Sequence, residues 1–293
     1  MVGIGKRSVT ILAIAALLGF AVSAAATLGG HAPASAQATV PGRARATASV
    51  PAPSTPTAIG LSKPLVILYG DSLAWEAEDA FVDAFAGLPY VQVLTRTYGG
   101  TAICDWFDEM QADATLAPGA VVLEFSGNAL TSCMQDADGR GLTDAAYWAH
   151  YRADAETAIA IFASTNTRVF LAGAPVSQRQ QLTGDFHGGL VNGMYVDIAT
   201  HHPEVEYVDA GAAVLDHGQW THTLPCLRGE PCTGGTDLLD RGFNVVRAPD
   251  GGHFCPAAED AKRGVTATCP VWSSGAYRYG NAMAMPVLVA LGR

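Results

Sequence analysis

The stretch Leu-Val-Ile-Leu-Tyr-Gly-Asp-Ser-Leu at residues 65–73 decides the fold prediction. Its first five residues form an apolar run as long as a buried strand, and Gly-Asp-Ser then breaks the run before a helix-like segment. This places the Ser72 hydroxyl at the carboxyl end of a strand, where ligands bind in open α/β sheets. The free N–H groups of the helix start could stabilise negative charge there. The same turn is also typical of a simple strand-to-helix connection in which Ser72 is the helix N-cap.

Similar apolar runs recur along the chain and alternate with segments of helical spacing. Strands are predicted at 65–69, 120–125, 168–172 and 205–208, with a weaker one at 90–94, and helices at 74–85, 144–162, 190–200 and 277–291. This alternation predicts βαβ units and an α/β fold with a parallel sheet covered on both faces. Residues 211–252 are rich in glycine and are predicted to be irregular, as in long functional loops.

The N-terminus has the pattern of a secretory signal peptide. Lys6 and Arg7 precede an apolar stretch at 9–28, and small residues follow at 34–38. We expect residues 1–38 to be the leader, with cleavage after Ala36 or Ala38. The apolar stretch is also long enough for an uncleaved membrane anchor, so that alternative stays open.

The remainder of the chain is predicted to be a tether followed by one domain. Residues 39–62 consist mainly of Ala, Pro, Thr and Ser, which cannot bury enough apolar surface to become ordered. Residues 63–293 have a length suited to a single α/β domain. The formal charge of the full chain is −10, and removal of Lys6 and Arg7 with the leader makes it −12. An acidic surface of this kind argues against nucleic acid as a partner.

All six cysteines lie in the predicted domain, as expected for an exported protein with disulfides. The most economical pairing joins Cys226 to Cys232 within one Gly/Pro-rich loop. Cys104 with Cys133 and Cys255 with Cys269 come next. The sequence alone leaves the connectivity open.

Polar residues that follow the predicted strands could form a site for acyl transfer. Ser72, Gly100 and Asn128 each come after a strand, so a parallel sheet brings them to one edge. A serine nucleophile needs a base, and the base needs an orienting group. His253 is the candidate base, and Asp250 could fold back to its Nδ1 through the Gly251-Gly252 turn. The N–H groups of Ser72 and Gly100 and the amide of Asn128 are candidate oxyanion donors.

These blocks resemble the SGNH hydrolases, the GDSL family of serine esterases, lipases and carbohydrate deacetylases. Ser72 matches the first block, Gly100 the second, Gly127-Asn128 the third and Asp250-x-x-His253 the fifth. The resemblance implies a three-layer α/β/α sandwich of flavodoxin-like type and the nucleophile, oxyanion and Asp/His roles given above. One departure is Ala129, where many members of the family have Asp.

Other residues receive weaker interpretations. Asn128 could be a turn residue, and Asp250 and His253 could be polar loop residues. Asp216, His217 and His222 lie close together in the sequence, but their spacing matches no zinc pattern, so we expect polar residues at the protein surface rather than a metal site. The larger aromatic residues could line a substrate groove or pack in the core, namely Trp75, Trp106 and Trp148.

The sequence therefore predicts a secreted or extracytoplasmic serine hydrolase that cleaves carboxylic esters of a small molecule, an acylated polysaccharide or a lipid. No metal or organic cofactor is expected. We expect a monomer with a role at the cell envelope or in the medium. Two alternatives stay open: an O-acyltransferase that uses the same triad on an envelope glycan, and a catalytically idle glycan-binding module.

Overall fold

The computed structural model describes residues 64–184, 187–254 and 273–292, and it contains one central sheet with helices on both faces. The sheet strands are β1 (Leu65–Gly70), β2 (Gln92–Thr97), β3 (Ala120–Glu124), β4 (Arg168–Ala172) and β5 (Val205–Val208). All four neighbouring pairs are parallel, and the spatial order is β2-β1-β3-β4-β5. The chain therefore runs outward from β1 in one direction and returns to begin β3 on its other side. That reversal between β1 and β3 is a topological switch point, where α/β folds place their ligands.

Six helices flank the sheet in the described part of the chain. They are α1 (Ser72–Asp83), α2 (Phe107–Ala114), α3 (Asp144–Ala163), α4 (Gln178–Thr183), α5 (His187–His201) and α6 (Ser274–Ala290). Helices α1 and α6 cover one face, while α2, α3 and α5 cover the other. The fold is therefore the three-layer α/β/α sandwich that the sequence predicts.

The two-residue period of strand β1 explains how it contributes to both layers. Ile67 and Tyr69 pack with α2, α3 and α5, whereas Val66 and Leu68 pack with α1 and α6. All four side chains are fully buried, which accounts for the continuous apolar run in the sequence. Burial on both faces fixes the register of the strand, and with it the position of the turn that follows.

Two disulfides join loop segments in the described residues. Cys104 is bonded to Cys133, and Cys226 is bonded to Cys232. Both pairings match the sequence prediction. The third predicted pair, Cys255 with Cys269, lies outside the described residues, as do the predicted leader and tether.

The predicted strands and helices are found, with shifts at their ends. The weak strand candidate at 90–94 corresponds to β2, which begins and ends a few residues later. The region predicted to be irregular contains two short pairs of antiparallel strands. These are β6 (Leu215–Asp216) with β7 (Gln219–Trp220), and β8 (Thr223–Pro225) with β9 (Phe243–Val245). Helices α2 and α4 were not predicted, because each is too short to show helical spacing. None of the helices within the described ranges is long and apolar enough to cross a membrane.

Candidate active site

Ser72 is the first residue of α1, immediately after the carboxyl end of β1. The helix N-cap is Asp71, whose Oδ1 accepts a hydrogen bond from Leu73 N at 3.0 Å. The interpretation of Ser72 as the N-cap is therefore wrong. Its hydroxyl instead lies 2.9 Å from Nε2 of His253, a residue 181 positions away in sequence. The strand-to-helix turn thus presents the hydroxyl to a group from the C-terminal part of the chain.

His253 is held by the turn that begins at Asp250. Oδ1 of Asp250 accepts hydrogen bonds from the backbone N–H groups of Gly252 and His253, at 2.9 and 3.0 Å. Oδ2 lies 2.6 Å from His253 Nδ1. Gly251 has a φ of +73°, a backbone conformation that residues other than glycine rarely adopt. Because an ionised carboxylate can only accept, Nδ1 carries the ring proton and donates to Asp250, and Nε2 is left as an acceptor facing the Ser72 hydroxyl.

The charges around His253 favour an imidazole that binds a proton readily. Burial works against the charged form, but the charge of Glu76 and the hydrogen bond and charge of Asp250 outweigh it, so the pKa of His253 is raised. Burial also opposes ionisation of Asp250. The bonds from Gly252 and His253 nevertheless hold the pKa of Asp250 below its ordinary value. The arrangement is therefore an ionised carboxylate, an imidazole and a hydroxyl in a continuous chain.

Asn128 is positioned by Asp71 after β3. Its Nδ2 donates to Asp71 Oδ2 at 2.8 Å, and the same oxygen accepts from Ser126 N at 2.7 Å and Ser126 Oγ at 2.6 Å. Gly127, with a φ of +101°, allows the sharp turn between them. An amide nitrogen carries two hydrogens, so the bond to Asp71 orients the group and leaves the second hydrogen for another acceptor. Asn128 therefore has a specific partner beyond that of a simple turn residue.

A second buried carboxyl lies beneath the nucleophile turn. Glu124 accepts from Ala74 N at 3.0 Å and from the Tyr279 hydroxyl at 2.9 Å. Burial, and then the negative charge of Asp71, raises the pKa of Glu124 well above its ordinary value. Burial also raises the pKa of Asp71, although its bonds from Ser126 and Leu73 oppose the shift. The first turn of α1 is thus anchored to the sheet by two carboxyl groups.

Two glycines, Gly99 and Gly100, follow β2 near Ser72. A Cβ built on Gly99 would lie 3.7 Å from the Cβ of Ser72, whereas one built on Gly100 would face Leu130 at 3.9 Å. Gly100 has a φ of +82°. By this measure Gly99, and not the predicted Gly100, is the nearer of the two to the Ser72 side chain. The absence of a side chain at Gly99 therefore leaves the space beside the Ser72 side chain open.

A cavity of about 210 Å³ opens beside the hydroxyl. Its lining comes from the turn at Ser72, the loops after β3 and β4, helix α4 and the turn before His253. The lining residues are Ser72, Leu73, Ser126, Asn128, Ala174, Pro175, Ser177, Gln180, Gly252 and His253. The cavity therefore adjoins the candidate nucleophile, base and amide donor together.

The predicted groove-lining aromatics have different positions. The rings of Trp75 and Tyr98 stack with centroids 5.7 Å apart, and Tyr98 is 62% exposed, so this pair lies at the protein surface. Trp106 instead packs on the core ring of Tyr69 and donates to Thr101 Oγ1. Trp148 packs edge-on against Tyr147. Of the three tryptophans, only Trp75 lies beside the glycines that adjoin Ser72.

One cluster of possible metal ligands occurs among the described residues, and it is not the one considered in the sequence. Ligand atoms of Cys104, His150 and Asp154 lie within 4.8 Å of one another. The Cys104 sulfur is bonded to Cys133, so it is not available as a thiolate.

Four polar or charged residues around the site were not predicted from the sequence. Ser126 and Glu124 belong to the strand and loop of the third block, while Glu76 accepts from Phe254 N at 2.7 Å from within α1. Arg247 is fully buried beneath the Asp250 turn. The only sequence signal for Arg247 is its place three residues before Asp250, and nothing in its local composition distinguishes it from a surface arginine.

Residues 65–261 match the family described as "Protein of unknown function (DUF459)". The chain belongs to this family. The family is SGNH-like, which confirms the resemblance that the sequence blocks carry. No curated protein matches the chain.

Several solved structures are similar to this family member at low sequence identity. A putative acylhydrolase from Bacteroides fragilis is 14% identical, with a TM-score of 0.48 and coverage of 79% of this chain and 92% of that one. The C-terminal catalytic domain of peptidoglycan O-acetyltransferase A from Streptococcus pneumoniae is 14% identical, with a TM-score of 0.47 and coverage of 78% and 96%. An acetylxylan esterase from Geobacillus stearothermophilus, in a catalytic-mutant form, is 13% identical, with a TM-score of 0.45 and coverage of 79% and 95%.

Proposed function

We propose that this protein is an exported serine hydrolase that cleaves carboxylic esters through an acyl-enzyme. The observation that carries the proposal is the chain of contacts from Ser72 Oγ to His253 Nε2 at 2.9 Å and from His253 Nδ1 to Asp250 Oδ2 at 2.6 Å. These distances allow direct proton transfer between nucleophile and base. The position at a topological switch point supports a binding site there.

In the first step, Ser72 Oγ attacks the ester carbonyl carbon while His253 Nε2 takes the hydroxyl proton. Asp250 stabilises the imidazolium that forms. Negative charge develops on the carbonyl oxygen and is received by the N–H groups of Ser72 and Gly100 and by the second amide hydrogen of Asn128. The tetrahedral intermediate collapses as His253 gives its proton to the leaving alcohol oxygen, which departs and leaves the acyl group on Ser72.

In the second step, His253 removes a proton from a water molecule, and the hydroxide oxygen attacks the acyl carbon. The second tetrahedral intermediate releases the acid, and Ser72 recovers its proton from His253. Transfer to a sugar hydroxyl in place of water follows the same steps, so the products must be identified to distinguish hydrolase from acyltransferase.

The shape of the site favours a short acyl group. Ser72 carries the acyl group between the two steps, and we assign this group to the cavity that opens beside the hydroxyl. At about 210 Å³ the cavity is smaller than the roughly 300–1,000 Å³ of pockets that enclose drug-sized ligands. Export is supported by the leader pattern and by the two disulfides, which persist in oxidising compartments.

The test is Ser72→Ala, assayed with an acetyl ester and with a fluorophosphonate probe that labels activated serines. We expect turnover and labelling to be lost and the circular dichroism spectrum to be unchanged, because Ser72 is only partly buried. Ser164→Ala, at an exposed serine after α3, is the matched control and keeps full activity. Retained turnover in Ser72→Ala places the nucleophile elsewhere. An intact wild-type protein that binds glycan but neither labels nor hydrolyses is an idle binding module.

A further inference from the structure

The peptide group that joins Gly252 to His253 is held at both ends. Its N–H donates to Asp250 Oδ1 at 3.0 Å, and its carbonyl oxygen accepts from Arg247 Nη1, also at 3.0 Å. The plane of this peptide sets the direction in which the His253 side chain leaves the backbone. Arg247 therefore contacts the turn at the point where a small rotation moves the imidazole away from Ser72.

The same guanidinium reaches a second segment of the site. Nη2 of Arg247 donates to the carbonyl oxygen of Val176 at 3.3 Å. Val176 lies between Pro175 and Ser177, which line the cavity beside Ser72. A planar guanidinium with several donors in fixed directions can hold two carbonyls at once, which a single ammonium does less well. Arg247 thus connects the turn that carries the base to the wall of the cavity.

Burial of this cation is unfavourable unless its contacts compensate. The Arg247 side chain is fully buried, and its guanidinium lies 5.1 Å from the centre of the Phe254 ring, a cation–π distance. Among the described residues its Nε has no hydrogen-bond partner. Burial lowers the pKa of Arg247 to about 10, although the charges of Tyr279, Glu76 and Asp250 oppose the shift. An apolar side chain of the same size would avoid this cost of burial, but it could not donate to the carbonyl oxygens of Gly252 and Val176.

We propose that Arg247 is a positioning residue that holds the Gly252–His253 peptide and the Val176 carbonyl, and so keeps His253 in line with Ser72. The expected effect of Arg247 on kcat rests on the proposed function. The structural consequence, the hydrogen bond between His253 and Asp250, can be measured without any substrate.

The main test is Arg247→Met, which keeps the length of the side chain and removes the charge and the donors. We expect kcat to fall by about a hundredfold, the order produced by a misplacement of about 1 Å. KM should stay within about twofold, because Arg247 is buried and is not among the residues that line the cavity. The downfield proton resonance of His253 Nδ1–H should broaden or shift upfield, reporting a weaker bond to Asp250.

The matched control is Arg278→Met. Arg278 is also a buried arginine that holds a loop, through Glu230 and the carbonyl oxygen of Pro225, but these contacts are not part of the site. We expect this variant to lose thermal stability while keeping wild-type kcat and the His253 resonance. If it loses kcat as strongly as Arg247→Met, the effect is general destabilisation and the proposal is overturned. Wild-type kcat and an unchanged resonance in folded Arg247→Met overturn it as well.

Arg247→Lys keeps the test decisive if the methionine variant does not fold. It retains the charge but replaces the two terminal nitrogens by one, so we expect a loss of kcat of about tenfold with a displaced His253 resonance. A wild-type rate and resonance in this variant contradict the proposal. If the wild-type protein hydrolyses no ester at all, the proposed function fails, yet the resonances of the three variants still decide whether Arg247 positions His253.

Discussion

At the residue scale, Asp71 links the proposed nucleophile Ser72 to the proposed oxyanion donor Asn128. Its Oδ1 caps the helix that begins with Ser72, and its Oδ2 bonds Ser126 and the Asn128 amide. No local sequence pattern indicates that Asp71 orients Asn128. A contact between residues 57 positions apart depends on the pairing of β1 with β3, which local patterns do not encode.

Asn128→Ala removes the proposed side-chain oxyanion donor. We expect kcat to fall by about 10²–10³-fold with an acetyl ester, because the amide acts mainly on charge that develops in the transition state. The measurement is steady-state kinetics with an unfolding midpoint for each protein. Asn244→Ala is a control at a second loop-holding asparagine, which bonds the backbone of Pro231 and Thr233 and does not line the cavity, and it should keep the wild-type kcat. An unchanged kcat in Asn128→Ala removes this residue from the oxyanion site.

At the element scale, α1 supplies both the proposed nucleophile and a charge that acts on the base. Glu76 lies one helical turn after Ser72, is buried, and accepts from the backbone of Phe254, next to His253. In the sequence it resembles any acidic residue on an amphipathic helix. Only the packing of the C-terminal turn on α1 shows that its charge faces the site.

Glu76→Gln tests this charge through the pH dependence of kcat/KM. The base must be neutral to accept a proton, so activity falls as pH drops through the pKa of His253, which lies above its ordinary 6.5. Removal of the Glu76 charge lowers the pKa of His253, while the charges of Asp250 and Asp71 remain. We therefore expect the acidic limb to move to lower pH.

The control for Glu76→Gln is Asp79→Asn, which makes the same change in net charge at an exposed position of α1. Its acidic limb should coincide with that of the wild type. If the acidic limb of the Glu76→Gln profile stays in place or moves to higher pH, the charge of Glu76 does not act on His253.

At the scale of the whole molecule, the sequence predicted the fold better than the site. The buried strands appear as apolar runs because both sheet faces are covered, and the chain order of helices and strands then fixes the sandwich. The position of Ser72 and Asn128 at one edge of the sheet follows from that topology, because β1 and β3 are parallel neighbours. Buried polar residues such as Glu124 and Arg247 could not be predicted, because a charge in the sequence gives no sign of its burial.

The cavity, formed where loops from several elements meet, gives a prediction for the molecule as a whole. A series of p-nitrophenyl esters from acetyl to palmitoyl keeps the alcohol constant, so kcat/KM reports only the fit of the acyl group. We expect the highest values for the shortest acyl groups and a decrease of at least about tenfold for long chains, because the cavity of about 210 Å³ cannot enclose them. Background hydrolysis is measured with Ser72→Ala. Values that stay level or rise toward palmitoyl contradict the assignment of the acyl group to this cavity.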